Sequence, residues 1–209
     1  MRPSTCIRSV GFFLLLLSAA GCSPLRQPPP AKAFYLLDIQ PESQPQRLSP
    51  AVCFRVRPMS VQSPFSGTSL IYRTSETAYQ RDYYNQFLVP GDQQIGEALV
   101  AWLPAVGVVL CPDTATEDQT ERLILEPHLE ALYADFRNPD SPSAYVRLRF
   151  AITAHDRSCR CSRILLNESF EAAVDVPSNP TAEQIVEATS QAVAEAFGQF
   201  HSALESLFP

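Results

Sequence analysis

Cysteine thiols are the side chains of this 209-residue chain with the widest chemistry, because they form disulfides, bind metals or accept covalent groups. Four of the six lie in the body of the sequence: Cys53, Cys111, Cys159 and Cys161. Four cysteines allow three pairings. Cys53 and Cys111 both fall in short apolar segments typical of strands, so neighbouring strands could bring them together. We expect Cys53–Cys111 with Cys159–Cys161, and buried free thiols are the alternative.

The sequence contains little that indicates a metal site or a catalytic site. Cys159 and Cys161 have His155 as the only nearby histidine, which is too few ligands for a structural zinc site. The chain has no nucleophile elbow, zinc-protease helix, phosphate loop or dinucleotide fingerprint. His128 and His201 fit structural roles, and the Glu126 and Glu130 spacing is a weak carboxylate-pair signal. We therefore expect no catalytic residue, no metal and no cofactor.

The amino terminus has the order of a secretory signal: Arg2 and Arg8, the apolar run VGFFLLLL, and small residues before Cys22. A membrane-spanning helix needs about 20 apolar residues, more than this run contains. Residues 19–22, Ala-Ala-Gly-Cys, resemble a bacterial lipobox, so we expect cleavage after residue 21 and lipidation of Cys22. The alternative is an ordinary cleaved signal whose Cys22 later forms a disulfide.

A lipid on Cys22 would hold the rest of the chain outside the cytoplasm. Residues 22–33 are polar and rich in proline, which predicts an extended tether. Ser23 stands where an aspartate would favour the inner membrane, so in a Gram-negative host we expect the periplasmic face of the outer membrane. Cleavage removes two arginines and no acidic residue, which takes the formal net charge from −6 to −8. An acidic body argues against nucleic-acid binding.

Residues 34–209 read as one domain of strands followed by a long helix. The helix candidates are residues 92–103, with Asp92 as N-cap and Pro104 as terminator, and 181–208, with a capping box of Thr181 and Gln184. Pro127 in the sixth strand suggests an edge strand or a bulge. The last three strands read as an antiparallel meander. The strand candidates are 34–39, 52–56, 70–73, 79–87, 106–110, 122–136, 144–154 and 163–176.

Together these elements predict an α+β fold, a mixed β-sheet packed by about two main helices in a single compact domain. The pattern of tether, first strand with Tyr35-Leu36-Leu37, the strand Leu70-Ile71-Tyr72-Arg73 and the aromatic run to Pro90 resembles the ABC-type transport auxiliary lipoproteins. That family includes the paraquat-inducible protein C-like lipoproteins.

The resemblance implies a non-enzymatic docking subunit of an envelope transport system, with lipid as the cargo. The implied partners are an MCE-domain periplasmic protein and an inner-membrane ABC transporter or paraquat-inducible-type membrane protein. Tyrosine and arginine are enriched at interface hot spots, and they supply the expected partner surface: Tyr72, Arg73, Tyr79, Tyr83 and Tyr84. The alternative function is a carrier that binds lipid or another apolar ligand itself, which would need a large cavity between sheet and helices.

Overall fold

The computed structural model describes residues 31–40, 47–49, 51–111, 121–156, 159 and 161–208. These residues contain nine strands and two α-helices. The strands are β1 (Ala33–Tyr35), β2 (Val52–Val56), β3 (Ser60–Val61), β4 (Ser69–Arg73), β5 (Tyr79–Phe87), β6 (Val108–Leu110), β7 (Glu121–Asp135), β8 (Ser143–Asp156) and β9 (Cys161–Asp175). The helices are α1 (Gly91–Trp102) and α2 (Ala182–Leu207), and 3₁₀ turns occupy Ser63–Phe65 and Leu103–Val106. Residues Lys32–Pro209 form one compact unit. The predicted signal, Cys22 and the tether as far as residue 30 lie outside the described residues.

Strand β7 lies at the centre of the sheet. Along one side it pairs antiparallel with β8, which in turn pairs antiparallel with β9. Along the other side β2, β3 and β4 follow one another, all parallel to β7. β6 extends the sheet beyond β2, and β5 and then β1 extend it beyond β4. The predicted α+β fold with a mixed sheet and a terminal meander is confirmed.

The core lies between one face of the sheet and both helices. Val146, Leu148, Phe150 and Ile152 alternate along β8 and are fully buried, as the period of two predicts. Phe200 of α2 stacks on Phe150 with ring centres 4.0 Å apart. Trp102 of α1 stacks on Phe197 at 5.2 Å, so the two helices share one core. In the described residues the opposite face of the sheet carries no α-helix, and we call it the open face.

Helix α2 begins where the sequence predicted. The Thr181 hydroxyl accepts a hydrogen bond from the Gln184 backbone N–H, and the Gln184 side chain accepts one from the Thr181 N–H. This capping box satisfies two of the N–H groups that a helix start leaves unpaired. None of the helices among the described residues is long and apolar enough to cross a membrane.

Pro127 marks neither an edge nor a bulge, since β7 is the central strand and its register against β8 shifts only further on, between Leu129 and Ala131. The Pro127 carbonyl accepts the Ser60 hydroxyl at 3.4 Å, so this residue turns its backbone towards β3. There β2 has ended, opposite Leu125, and β3 begins opposite His128. The N–H that proline lacks therefore falls at the break between two short strands, where no ladder bond needs it.

Two predicted boundaries around α1 were also wrong. Asp92 is not the N-cap, because the helix begins at Gly91 after Pro90, and Asp92 lies in the first turn, where its charge suits the helix dipole. The strand expected at 106–110 is only Val108–Leu110, and its last two residues are exposed. Val106 instead ends a 3₁₀ turn that includes Pro104 and closes at Gly107 with a φ of +88°.

Candidate functional site

An aromatic cluster occupies the open face where β4, β5, β7 and β8 run side by side. Tyr133 lies at its centre, 4.9 Å from Tyr145, 5.7 Å from Tyr79 and 6.0 Å from Phe65, measured between ring centres. Tyr133 is buried, whereas Tyr79 is 46% exposed. The cluster thus has a packed base and an accessible aromatic rim, the pattern of an interface hot spot.

Arg73 holds this cluster together from β4. Its guanidinium lies 5.7 Å from the ring centres of both Tyr79 and Tyr133 and donates a hydrogen bond of 3.2 Å to the Tyr133 hydroxyl. Its other end pairs with Glu76 at 3.1 Å. An arginine between two rings gains cation–π attraction that increases as water is excluded. We call Phe65, Arg73, Tyr79, Tyr133 and Tyr145 the aromatic–arginine cluster.

A chain of ion pairs continues from Arg73 to the end of β7. Glu76 also binds Arg137 at 2.8 Å, and Arg137 binds Asp135 at 2.7 Å. Burial disfavours the Asp135 carboxylate, but hydrogen bonds and charge from Arg137 outweigh it and lower the pKa of Asp135. The turn after β4 is therefore fixed to the turn after β7 at the edge of the aromatic–arginine cluster.

Glu130 organises the middle of the open face. The β7–β8 register shifts between Leu129 and Ala131, and this bulge leaves Glu130 without a cross-strand partner. Its carboxylate pairs with Arg147 at 3.1 Å and Arg149 at 3.2 Å, and accepts the Ser169 hydroxyl at 2.9 Å. A glutamate held this way by two arginines and a hydroxyl acts as a structural counter-ion.

A second bulge carries Tyr83 and Tyr84. Residues 82–85 stand opposite the single residue Leu70, because the β4–β5 register shifts there. Asp82 Oδ1 accepts the backbone N–H groups of Tyr84 and Asn85 at 2.7 and 2.9 Å. Lys32 lies 4.0 Å above the Tyr83 ring, which is 65% exposed. We call residues 82–85 the Asp82 bulge.

The five residues predicted as one partner surface occupy three places. Arg73 and Tyr79 meet in the aromatic–arginine cluster, and Tyr83 and Tyr84 lie on the Asp82 bulge. Tyr72 is next to Arg73 in β4 and so turns to the opposite side, where it packs against the helix-side core. The sequence prediction omitted the other members of the cluster, which are Phe65, Tyr133 and Tyr145.

The body cysteines form the two pairs expected from the sequence, Cys53 with Cys111 and Cys159 with Cys161. β6 runs beside β2, which brings Cys111 next to Cys53 with Cα atoms 5.7 Å apart. The Asp156 carboxylate and the sulfurs of Cys159 and Cys161 lie within 4.8 Å of one another. Disulfide sulfurs are not thiolates, so in this oxidised form they do not make a metal site.

The histidines lie apart from one another. His128 Nδ1 is 2.8 Å from the Ser60 hydroxyl, and His155 Nδ1 is 2.7 Å from the Ser162 hydroxyl. His201 is buried in α2 against the edge of Trp102. A serine–histidine contact becomes a nucleophile only with a group that orients the imidazole and a site for the oxyanion. His128 hydrogen-bonds to no carboxylate within the described part of the chain.

Fold and site together define an α+β domain with one helix-covered and one open sheet face, and solved structures share that fold. Protein XCC0632 from Xanthomonas campestris, of the family DUF330, has a TM-score of 0.64 at 13% identity, covering 84% of this chain and 96% of its own. An uncharacterised protein has a TM-score of 0.55 at 15% identity, covering 84% and 97%. The hypothetical protein CT253 from Chlamydia trachomatis has a TM-score of 0.52 at 8% identity, covering 76% and 98%. The chain matches no protein-family model and no curated protein.

Proposed function

We propose that the chain is a lipid-anchored periplasmic protein that serves as a non-enzymatic docking subunit of an envelope transport system. The anchor is Cys22, on the outer membrane of a Gram-negative host. The partner is an MCE-domain periplasmic protein, which works with an inner-membrane ABC transporter or a paraquat-inducible-type membrane protein. The resemblance of the sequence to the transport auxiliary lipoproteins supports this assignment, and the α+β fold is the one that this resemblance implies.

The observation that carries the docking role is the aromatic–arginine cluster on the open face. Four of its five members are tyrosine or arginine, the residue types over-represented among interface hot spots, and Tyr79 is the exposed ring that the others support as a preformed base. A prepacked surface loses little side-chain entropy when a partner binds. Docking therefore needs no rearrangement of the fold.

The alternative, a carrier with an internal ligand cavity, fits the core less well. Side chains fill the space between the sheet and α2, where Phe150, Phe170, Phe197 and Phe200 contact one another as aromatic pairs. All four are buried. A ligand in that space would have to displace close-packed rings, which costs contacts throughout the core.

The experiment is a binding titration between the purified mature chain and the periplasmic domain of the MCE-domain protein from the same host. Tyr79→Ala removes an exposed ring without emptying the core, and hot-spot truncations cost at least about 2 kcal/mol. We expect the affinity to fall more than tenfold. Ile164→Ala is the matched control, since this apolar side chain is 68% exposed in β9, outside the cluster.

Two results would contradict the proposal. One is no measurable binding of the wild-type chain to that domain. The other is an equal affinity for Tyr79→Ala and Ile164→Ala, which would leave the aromatic–arginine cluster without a role. Near-ultraviolet circular dichroism of both variants shows whether the remaining tyrosines keep their packing, so that loss of fold is separated from loss of contact.

A further inference from the structure

Exposed apolar side chains collect at one end of the sheet, where β1 pairs with β5. Of the ten large hydrophobic residues that are exposed in the described part of the chain, five lie here. A contiguous apolar surface on a folded domain marks a contact with a protein or a membrane. We call these five residues, together with the lysine beside them, the β1 edge patch: Lys32, Phe34, Leu36, Tyr83, Tyr84 and Leu88.

Strand register places the apolar members of the β1 edge patch side by side. Tyr35 lies opposite Phe87 in the parallel pair, and the Leu88 N–H donates a hydrogen bond of 2.8 Å to the Tyr35 carbonyl. This bond continues the pairing by one position, so Leu36 follows as the neighbour of Leu88. Phe34 precedes Leu36 by two positions, and each of these three side chains is more than half exposed. On its other side β1 has no partner strand among the described residues.

The basic end of the β1 edge patch joins it to the Asp82 bulge. The Lys32 ammonium lies over the Tyr83 ring, and the Tyr83 and Tyr84 ring centres are 5.2 Å apart. Tyrosine is enriched at membrane–water interfaces, because its ring is apolar and its hydroxyl is polar. A lysine beside such rings can keep its ammonium in water while its stem covers apolar surface. The composition of the patch therefore suits the level of lipid head groups.

The path of the chain favours a membrane over a protein as the occupant. Lys32 is ten positions after Cys22, and ten residues span at most about 36 Å when fully extended. The β1 edge patch therefore begins where the chain from the proposed anchor enters the domain. An anchored domain experiences a high effective concentration of its own leaflet, so even a weak apolar contact is enough to orient it.

We propose that the β1 edge patch lies on the zwitterionic lipid leaflet that holds the anchored Cys22. Phe34, Leu36 and Leu88 enter the boundary between head groups and acyl chains, and the tyrosines stay among the head groups. The unpaired backbone edge of β1 keeps the contact at this level, because hydrocarbon offers it no hydrogen-bond partner. The inference rests on the proposed anchor and deepens the proposed function.

The surroundings of the patch exclude an anionic leaflet and set the orientation of the domain. Asp38 and Glu187 line a depression beside Leu36, and the chain has a formal net charge of −6, so anionic lipid would be repelled. Tyr79 is nine positions before Leu88 in β5, which corresponds to roughly 25–30 Å of strand. The aromatic–arginine cluster is therefore directed away from the leaflet, where a periplasmic partner can reach it.

The test attaches the domain to a vesicle without relying on lipidation in the cell. In the chain from residue 22 onward the other cysteines are paired with each other, so the Cys22 thiol can be coupled to a maleimide-bearing lipid. The vesicles contain phosphatidylethanolamine and phosphatidylcholine with acyl chains brominated near the head group, and bromine quenches indole emission on contact. Trp102 is buried against Phe197 and supplies a background that is measured in the unsubstituted chain.

Leu88→Trp is the reporter, and Ile164→Trp is its matched control, because Ile164 is equally accessible in β9 at the opposite end of the sheet. Brominated lipid should quench the added tryptophan of Leu88→Trp and leave that of Ile164→Trp unchanged. Adding Phe34→Ser to the reporter should lower the ratio of lipid-bound to free domain about fivefold or more, since half of the ring would return to water. Leu36→Ser gives a second measurement if Phe34→Ser lowers the melting temperature.

Two results would overturn the proposal. One is equal quenching of the two reporters, or quenching of neither. The other is a dimer of the uncoupled Cys22→Ser chain in sedimentation that Leu36→Ser dissociates, which would assign the edge to a second copy of the chain. Because the synthetic coupling replaces the cellular lipid, neither result bears on whether Cys22 is acylated in the cell. Conversely, a Cys22 that incorporates no palmitate would refute the anchor and leave the vesicle measurement valid.

Discussion

The Tyr72 hydroxyl donates a hydrogen bond of 2.7 Å to Asp82 Oδ2, which ties β4 to the Asp82 bulge of β5. Asn85 donates its side-chain N–H to the same oxygen at 2.8 Å. Burial of Asp82 would raise its pKa, but these hydrogen bonds and those from backbone N–H groups outweigh burial and lower it. For Tyr72, burial and the hydrogen bond to Asp82 both raise the pKa. One ionised carboxylate, that of Asp82, therefore holds the backbone of the bulge that carries the exposed Tyr83 and Tyr84.

Asp82→Asn should destabilise the fold by roughly 1–2 kcal/mol at pH 7, because an amide is a weaker acceptor and turns one N–H towards existing donors. A lowered folded-state pKa contributes stability that is present above the unfolded-state value, about 3.9 for aspartate, and is lost as pH falls. The difference in free energy of unfolding between wild type and Asp82→Asn should therefore shrink as the pH falls from 5 to 3. Urea titrations at these pH values measure it, and a difference independent of pH would show that the carboxylate charge is not what holds the bulge.

Gly107 should not tolerate a side chain. Its φ of +88° is strained for any residue with a Cβ, and that Cβ would lie 2.9 Å from the backbone N and O of Leu48. Gly107→Ala should cost more than about 1 kcal/mol of unfolding free energy. Gly198→Ala is the matched control. It lies in α2 with nothing within 4 Å of the added methyl, and should stabilise by about 0.5–1 kcal/mol. Thermal unfolding measures both variants, and we expect the melting temperature to fall for Gly107→Ala and to rise for Gly198→Ala. Changes of the same sign in the two variants would contradict the prediction.

The two disulfides should differ in their effect on stability. Cys53–Cys111 closes a loop with a sequence separation of 58, whereas Cys159–Cys161 has a separation of 2. In the chain-entropy account the first contributes about 4 kcal/mol and the second roughly 1.5 kcal/mol or less. Replacing Cys53 and Cys111 by serine should therefore lower the urea midpoint clearly more than replacing Cys159 and Cys161. Equal midpoints for the two double variants would show that loop closure is not the main contribution.

Local pattern was enough to predict the elements whose burial follows one period throughout. The alternation along β8 and the apolar stripe of α2 each have a single buried face, so reading the period places Phe150 and Phe200 in the core. The strand 52–56 was predicted with its observed bounds for the same reason. Such segments can be predicted without knowing which elements pack against them.

The candidate site was harder to predict because it depends on two bulges and on register. Glu130 is an extra residue in β7. Alternation counted through it assigns Tyr133 to the helix-covered face of the sheet, whereas Tyr133 lies on the open face. The Asp82 bulge likewise separates Tyr79 from Tyr83 and Tyr84, which the sequence treats as one aromatic run. Tyr133 and Tyr145 are cross-strand neighbours, and no local pattern shows that pairing before the register is known. The centrality of β7 also depends on which strands pair with it.

Membrane attachment should depend on Cys22 alone among the cysteines. Diacylglycerol on the thiol and a further acyl chain on the new amino terminus would exceed the two signals that lasting attachment needs, at about 0.8 kcal/mol per buried methylene. Cys22→Ser should move the protein from the membrane fraction to the soluble periplasmic fraction and abolish incorporation of labelled palmitate. The double variant of Cys159 and Cys161 is the control, since those sulfurs are joined to each other and should leave fractionation unchanged. Membrane association that is equal in Cys22→Ser and wild type would mean that something other than an acylated cysteine holds the protein, and the outer-membrane assignment would then lose its physical basis.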